Sequence, residues 1–257
     1  MDQLVPQIPV LTPTSYRTWL DCRRAYLLRH VLHVPASDAP SHASNTGQLV
    51  HDVLQHVHLH GSCRDAAFVD DVANAHALSP ATRELVDAHR TRCPDDATHG
   101  AHEVERVRLH RRPWFLARAR VDAVWVRPNL LDVRDYKTGS RTYDRVRDDP
   151  GARLMAWILQ RDMNRKRLPL RLAYEQLAPE VDEDPEPFTP DADDLAEIDE
   201  ELTAISAAIR TEEEWQGVAD ASVCGTCFHR SVCADSAARG PLSWPAASLP
   251  SDLEPAP

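Results

Sequence analysis

Helical periodicity dominates the first part of the chain. We expect a first helix that starts at Thr14 or Ser15 and continues to about Leu27, because Ser and Thr favour helix N-termini. A second helix, over about 45–60, is predicted by an apolar stripe at helical spacing, formed by Leu49, Val50, Val53, Leu54 and Val57. Residues 66–92 are also predicted to be helical, with an interruption at Ser79 and Pro80.

Strand patterns dominate the middle of the chain. Three segments alternate, are rich in valine and are bounded by turn residues: 104–109, 115–126 and 130–137. A helix over 151–163, a strand over 170–177 and a helix over about 193–210 are predicted to follow. This order predicts a mixed α/β (α+β) fold with a mostly antiparallel sheet, whose two chain ends could meet.

Charge is distributed unevenly along the 257 residues. The formal net charge is −11, but twelve Asp or Glu and no Lys or Arg lie within 180–201. Without that block the rest of the chain would carry +1. The net charge therefore does not exclude a nucleic-acid partner. We interpret the acidic block as a solubilising linker around its helix.

Apolar runs are too short for a membrane-spanning segment. The longest run, 154–159, has six residues, whereas a bilayer span needs about 20. The N-terminus also lacks the basic start and apolar stretch of a secretory signal. We therefore predict a cytoplasmic protein with no membrane partner.

The strongest chemical signal lies at 117–139, with the sequence ARARVDAVWVRPNLLDVRDYKTG. A four-residue loop over 127–130 would pair residues whose numbers sum to 257. Asp122 would then lie opposite Asp135, and Arg120 opposite Lys137. Two facing carboxylates favour a bound Mg²⁺ or Mn²⁺, beside which Lys137 could assist hydrolysis of a phosphodiester. The alternative is a surface hairpin with solvated charges.

These residues resemble the RecB-like branch of the PD-(D/E)XK nucleases. Asp122 followed by Asp135-Tyr136-Lys137-Thr138-Gly139 resembles the core motif, and Gly47-Gln-Leu-Val-His51 resembles an upstream Gly-x-x-x-His helix. The resemblance implies a restriction-endonuclease-like core, in which a central mixed sheet is flanked by helices. It also implies catalytic roles for Asp122, Asp135 and Lys137, and Mg²⁺ or Mn²⁺ binding by His51, Asp122, Asp135 and the Tyr136 carbonyl. Helical periodicity alone would leave His51 exposed, about 130° from the apolar stripe.

The cysteines extend this resemblance. Cys224-x2-Cys227-x5-Cys233 has a spacing typical of metal sites. Together with Cys22 it resembles the iron–sulfur subset of the family, which includes AddB-type nuclease subunits and CRISPR-associated exonucleases. The resemblance implies a 4Fe–4S cluster that fastens the chain ends together, and a structural zinc ion is the less favoured alternative. Cys63 and Cys93 lie outside the pattern, and we expect them to be ordinary thiols.

The chain departs from the family pattern in three places: on the helix after the lysine motif, at Arg23, which follows Cys22 where Pro is more usual, and before Asp122, where the small residue varies. Arg153-Leu-Met-Ala-Trp157 stands where the family often has Gln-x-x-x-Tyr, and Arg153 could contact a backbone phosphate. Further candidates for phosphate contacts, each with a solvated basic face as the alternative, are Arg17, Arg23, Arg24, Arg29, Arg118, Arg120 and Arg141.

Four parts of the chain are predicted. They are an N-terminal helix with one cluster cysteine (1–40), a nuclease core (41–178), an acidic helical segment with the cysteine cluster (179–238) and an irregular Pro-rich tail (239–257).

The functional hypothesis is a metal-dependent DNA nuclease, acting as an exonuclease on single strands or DNA ends. The alternative is a catalytically silent subunit that binds DNA or a protein partner, and a zinc-stabilised adaptor is a third option. No Gly-x-x-x-x-Gly-Lys-Ser/Thr motif is present, so duplex unwinding would require a helicase or another partner.

Overall fold

A computed structural model describes residues 8–36, 42–95, 101, 103–139, 144–162, 168–178 and 183–237. The predicted tail and Arg141 lie outside these residues. Within the described ranges, no helix combines the length and the apolar character that crossing a bilayer requires.

Eight α-helices are described, and the bounds of α3 to α7 are close to the predicted ones. They are α1 (Pro13–Asp21), α2 (Arg23–Tyr26), α3 (His42–His60), α4 (Ala66–Ala75), α5 (Pro80–Arg92), α6 (Pro150–Asp162), α7 (Ala192–Thr211) and α8 (Ala221–Gly225). A π-helical turn, Leu27–Val31, extends α2, and a 3₁₀ turn, Val146–Asp148, precedes α6.

The first helix begins and ends differently from the prediction. Thr12, rather than Thr14 or Ser15, is the N-cap, and its side chain exchanges capping-box hydrogen bonds with Ser15. The helix is broken at Cys22, whose extended backbone (φ −164°, ψ 118°) separates α1 from α2. The Cys22 sulfur accepts a hydrogen bond from the Ala25 N–H at 3.4 Å, which caps the second helix.

Five strands form one mixed sheet. The strands are β1 (Val10–Leu11), β2 (Glu103–Arg111), β3 (Leu116–Arg127), β4 (Leu130–Lys137) and β5 (Leu170–Gln176). Strand β3 pairs antiparallel with β2 and β4, whereas β1 joins β3 and β5 joins β4 in parallel. The sheet is thus mixed, because the α6 crossover between β4 and β5 returns the chain in the same direction.

The hairpin register is confirmed where the strands pair. Five pairs from Ala123↔Arg134 to Arg127↔Leu130 have residue numbers that sum to 257, around a turn at Pro128 and Asn129. The ladder ends one step before the predicted Asp122–Asp135 pair. Asp122 instead uses its side chain to accept the Tyr136 N–H at 2.7 Å. Arg120 and Lys137 likewise lie beyond the paired ladder, and the Arg120 guanidinium lies 2.9 Å from Glu105 Oε2.

Helices cover both faces of the sheet. One apolar cluster combines α1, α6 and α7 with β3 and β4, and includes the fully buried Trp157. The other combines the α3 stripe with α5 and with Trp125 and Tyr136 of the sheet. This two-sided burial is why β3 is buried without interruption from Val121 to Trp125.

The acidic helix α7 belongs to the folded body, so its interpretation as part of a linker is wrong. Its apolar face (Ile198, Leu202, Ile205 and Ile209) is buried in the first cluster. Its acidic residues pair with basic residues of neighbouring elements, as in the Asp199–Arg112 pair at 2.6 Å. The acidic side chains lie on one side of α7 only. The apolar stripe on its other side was the better indication that this helix packs against the rest of the fold.

The N- and C-terminal parts of the described chain contact each other. The Trp215 ring stacks on Tyr26 with a centroid distance of 6.3 Å and meets Trp19 edge-on at 6.1 Å. The Arg24 N–H donates to the Gln216 carbonyl at 3.2 Å, and its guanidinium lies 3.4 Å from Asp235. The predicted meeting of the two segments is therefore confirmed.

Candidate metal centre

Helix α3 lies close against the end of β4 because residue 47 is a glycine. A Cβ atom at Gly47 would lie 2.7 Å from Thr138 Oγ1, which is closer than real side chains approach. One helical turn later, His51 directs its Nε2 to the Tyr136 carbonyl at 3.2 Å. The two sequence motifs thus meet in space, although 85 residues separate His51 from Tyr136.

Three side chains converge at this junction. His51 Nδ1 lies 3.3 Å from Glu105 Oε1 and 3.4 Å from Asp122 Oδ1. One nitrogen and two carboxylate oxygens from these residues all lie within 4.8 Å of one another. They come from α3, β2 and β3, so only the packed helix and sheet can assemble them.

Asp122 and Asp135 influence each other electrostatically. Burial raises the pKa of Asp122, and the nearby negative charge of Asp135 raises it further. The hydrogen bond from His51 opposes this shift. The position therefore favours a positive charge beside Asp122.

Lys137 supplies one such charge at the edge of the group. Its ammonium forms an ion pair with Asp135 and lies 4.1 Å from the centre of the Tyr174 ring. Burial would lower the pKa of Lys137, but the charge and hydrogen bond of Asp135 raise it. Lys137 is therefore a cation at neutral pH, and about a quarter of its side chain remains exposed.

Glu105 is a member of this group that the sequence did not reveal. The β2–β3 register brings it opposite Asp122, between the pairs Val104↔Ala123 and Arg106↔Val121. Its backbone has a φ of 49°, an unfavourable left-handed conformation for a residue with a side chain. A glutamate inside an alternating strand is common, and only the register of two strands could have indicated its role.

The donor set fits a divalent cation. Burial would lower the pKa of His51, but hydrogen bonds to Asp122 and Glu105 raise it to about 10. A proton on His51 therefore balances the carboxylates in the absence of other cations. Glu105 Oε2 and Asp135 Oδ2 are ion-paired, yet neither has a hydrogen-bond donor in good geometry among the described residues. Carboxylate and carbonyl oxygens with one imidazole suit Mg²⁺ or, because of the nitrogen, Mn²⁺.

The four predicted cluster cysteines surround a separate cavity of about 650 Å³ at the meeting of the terminal segments. They are Cys22, Cys224, Cys227 and Cys233. No three of these four sulfurs, all in the described part of the chain, lie within 4.8 Å of one another. One zinc ion would hold its thiolates about 3.8 Å apart, whereas a 4Fe–4S cluster binds each thiolate to a different iron. Four thiols that line one cavity are a donor set that fits a 4Fe–4S cluster.

The family follows from comparison with known proteins. A model of the PD-(D/E)XK nuclease superfamily matches residues 10–234. The chain belongs to this superfamily. The match covers the convergent group, which consists of His51, Glu105, Asp122, Asp135 and Lys137. It also covers all four cysteines of the cavity.

Comparison with solved structures gives a remote neighbour of this superfamily member. It is the crystal structure of the "Putative exonuclease" from Eubacterium rectale, with 10% sequence identity and a TM-score of 0.48. The similarity covers 79% of this chain and 81% of the other. No curated protein matches the chain.

The predicted phosphate contacts of this PD-(D/E)XK protein lie in different places. Arg120 borders the convergent group through Glu105, and its side chain is 56% exposed. Arg153 instead pairs with Glu201 of α7 at 2.8 Å, and Arg24 pairs with Asp235 near the cysteine cavity. Of these three, Arg120 lies beside the proposed metal ligands, and all three remain predicted phosphate contacts.

The remaining basic candidates are distributed over the N-terminal helices and β3. Arg17 pairs with the fully buried Asp149, Arg23 lies over the Trp19 ring at 3.7 Å, and Arg29 lies over Phe228 at 5.3 Å. Arg118 is exposed on β3. The first three therefore have contacts that stabilise the fold.

Proposed function

We propose that this superfamily member is a metal-dependent nuclease that hydrolyses DNA phosphodiester bonds. The observation that carries the proposal is the convergence of His51, Glu105 and Asp122 beside the Asp135–Lys137 pair. Such a group of ligands next to a single lysine is suited to phosphodiester hydrolysis, which needs both an activated water and stabilisation of negative charge.

Each residue of the group has a distinct task in this proposal. His51, Glu105, Asp122, Asp135 and the Tyr136 carbonyl would hold Mg²⁺ or Mn²⁺. The bound cation would supply a water of lowered pKa and polarise the scissile phosphate. The Tyr136 N–H fixes the Asp122 carboxylate, since it donates to Oδ2 at 2.7 Å and leaves Oδ1 free to face His51.

Lys137 acts on the substrate side of the group. Asp135 orients its ammonium, and its partly exposed side chain can reach a phosphate or a water. In this position the ammonium would orient the attacking water and offset the negative charge that develops on the phosphate oxygens. Lys137 stays protonated at neutral pH because Asp135 raises its pKa.

DNA with single-stranded or free ends is the proposed substrate, and an exonuclease is the proposed mode. The support is the resemblance of the two motifs to the RecB-like branch. Arg120, exposed beside Glu105, is suited to a backbone phosphate of the bound strand. A helicase or similar partner would unwind duplex DNA.

We further propose that the cysteine cavity holds a 4Fe–4S cluster with a structural role. The cavity is lined by Cys22 and Ala25 from the N-terminal segment and by Gly217 and Cys224 from the C-terminal segment, so a cluster there would fasten the two segments together. Protein purified without oxygen should contain iron and acid-labile sulfide. Both should be lost from the Cys227→Ser variant, whereas zinc bound in this cavity would contradict the assignment.

The nuclease proposal is tested with protein purified without oxygen and end-labelled single- and double-stranded DNA in the presence of Mn²⁺. The wild type should cut, and the labelled products should show whether cutting starts at an end. Asp122→Asn and Asp135→Ala should each lower the rate by roughly 10³-fold or more, because each removes a charge from the cation site. Asp70→Asn, at an exposed carboxylate of α4, serves as the control and should cut at the wild-type rate.

Two results would contradict the nuclease proposal. Equal cutting by the wild type and the Asp122→Asn variant would show that a contaminating enzyme or another site does the chemistry. Tight DNA binding with no cutting in Mn²⁺ or Mg²⁺ would favour the catalytically silent subunit.

A further inference from the structure

A second cluster of metal-ligand side chains lies on the α3 side of the sheet. It contains His58 near the end of α3, Cys63 just after that helix, His89 in α5 and Cys93 directly after α5. All four residues are buried, and one ligand atom from each lies within 4.8 Å of the others. Cys63 and Cys93, predicted to be ordinary thiols, thus lie together with two histidines.

The spacing of these ligand atoms is close to that around one tetrahedral ion. His58 Nε2 lies 3.0 Å from His89 Nε2 and 3.6 Å from Cys63 Sγ. With zinc–nitrogen bonds of about 2.0–2.1 Å and zinc–sulfur bonds of about 2.3 Å, a tetrahedron sets about 3.3 Å between two nitrogens and about 3.6 Å between nitrogen and sulfur. The cluster needs only small shifts to bind the ion.

A carboxylate lies behind each imidazole, whose Nε2 faces the cluster; it is hydrogen-bonded at His89, whereas His58 Nδ1 makes no hydrogen bond in good geometry. His89 Nδ1 lies 2.8 Å from Glu175 Oε1, and His58 Nδ1 lies 3.5 Å from Asp95 Oδ2. Asp95 is itself fixed by the Trp125 indole N–H at 2.8 Å. A carboxylate behind each ligating histidine is the usual outer arrangement of a zinc site, because it sets the tautomer and strengthens the ligand.

The thiols are also suited to a cation. The hydrogen bond from Cys63 has the largest effect on the pKa of the Cys93 thiol, which it lowers. Burial opposes this shift, and hydrogen bonds to His58 and His89 reinforce it. Together they lower the pKa of Cys93, which is buried beside the other three side chains.

We propose that His58, Cys63, His89 and Cys93 form a closed structural zinc site. Two sulfurs and two nitrogens in a tetrahedral arrangement favour zinc over Mg²⁺ or Mn²⁺, which prefer oxygen. All four coordination positions are filled by the protein, so the site has no open position for a substrate and is not catalytic.

The site would stabilise the part of the fold that carries His51. His58 lies two helical turns after His51 on α3, and zinc would connect this helix to α5 and to the chain before β2. Tyr136 contacts both places, because its hydroxyl lies 3.4 Å from His58 Nε2 and its carbonyl lies 3.2 Å from His51 Nε2. Because Tyr136 belongs to β4, zinc bound to His58 would help to hold α3 against the end of that strand.

The test is the metal content and zinc X-ray absorption spectrum of the full chain, expressed with zinc and purified with no metal added. We expect about one zinc ion per chain, with a first shell of two sulfurs and two nitrogens. The Cys93→Ser variant should contain at least roughly fivefold less zinc. The matched Cys224→Ser variant, altered at the other cysteine group, should retain its zinc.

The wild-type spectrum decides the matter even if the Cys93→Ser variant fails to fold. A first shell of four sulfurs, or zinc that is lost with Cys224 and kept without Cys93, would overturn the proposal. So would a Cys63–Cys93 disulfide, or wild-type protein that lacks zinc while all its thiols are reduced. These outcomes do not depend on nuclease activity, so they leave the proposed function to its own test.

Discussion

Two groups of ligands on one helix differ in chemistry and in access to solvent. The group at His51 combines an imidazole with carboxylates, and the His51 side chain is 21% exposed. The group at His58 combines imidazoles with thiols, and the side chains of His58 and His89 are fully buried. The first group is therefore open to solvent at His51, whereas the imidazoles of the second are closed to it. Access of solvent to the ion, as much as ligand type, therefore distinguishes the proposed catalytic cation from the proposed structural one.

Metal removal should separate the two groups most clearly. Brief treatment with EDTA should abolish DNA cutting, and added Mn²⁺ should restore it, because the open site exchanges its ion with solvent. The melting temperature should change little at this stage. Release of zinc after a thiol-modifying reagent should instead lower it by about 10 °C or more, because structural zinc contributes to folding stability. Loss of activity and of stability in a single step would argue against two distinct sites.

Replacement of Lys137 should affect only the open group. We expect Lys137→Ala to lower kcat by roughly 10²–10³-fold, because the ammonium no longer offsets charge on the phosphate. Zinc content should not change. Steady-state kinetics on single-stranded DNA measure the effect, and a rise in KM with kcat unchanged would assign Lys137 to binding alone.

Replacement of Gly47 should displace His51 without removing any ligand. A Cβ atom there would meet Thr138 Oγ1 at 2.7 Å and push α3 away from β4. Gly47→Ala should lower activity by about tenfold, which corresponds to about 1.4 kcal/mol. Because Thr138→Ala removes the clashing oxygen, the double variant should regain most of the activity. A double variant as poor as Gly47→Ala would show that the close approach is not the cause.

Replacement of the Tyr136 hydroxyl should produce the smallest effect. Tyr136→Phe removes a buried hydroxyl beside the proposed zinc ligands, 3.4 Å from His58 Nε2, but keeps the backbone carbonyl near His51. The free energy of unfolding should fall by about 1 kcal/mol, and kcat should stay within about twofold. Chemical denaturation and the cleavage assay measure the two quantities. A large loss of kcat with zinc retained would place this side chain in the catalytic group.

The sequence predicted local features well, because short-range rules determine them. The hairpin register followed from a short loop between β3 and β4, and the strand at Leu130–Lys137 was predicted to the residue. The α3 stripe likewise followed from helical spacing, since Val50, Val53 and Val57 are fully buried.

Features that depend on long-range packing were missed. Glu105 joins Asp122 only through the β2–β3 register, and His58 meets His89 only because α3 packs against α5. His51 looked exposed on a helical wheel, since the wheel does not show that the end of β4 covers that side. Only the resemblance of its motif indicated a role, and the structure brings it to the Tyr136 carbonyl.

Anomalous X-ray diffraction from crystals grown with Mn²⁺ would test the two-site account most directly. Data collected at the manganese and zinc absorption edges locate each element separately. The account predicts a manganese peak between His51, Glu105 and Asp122, and a zinc peak between His58, Cys63, His89 and Cys93. A manganese peak elsewhere on the chain, with His51 still bound to the two carboxylates, would contradict it.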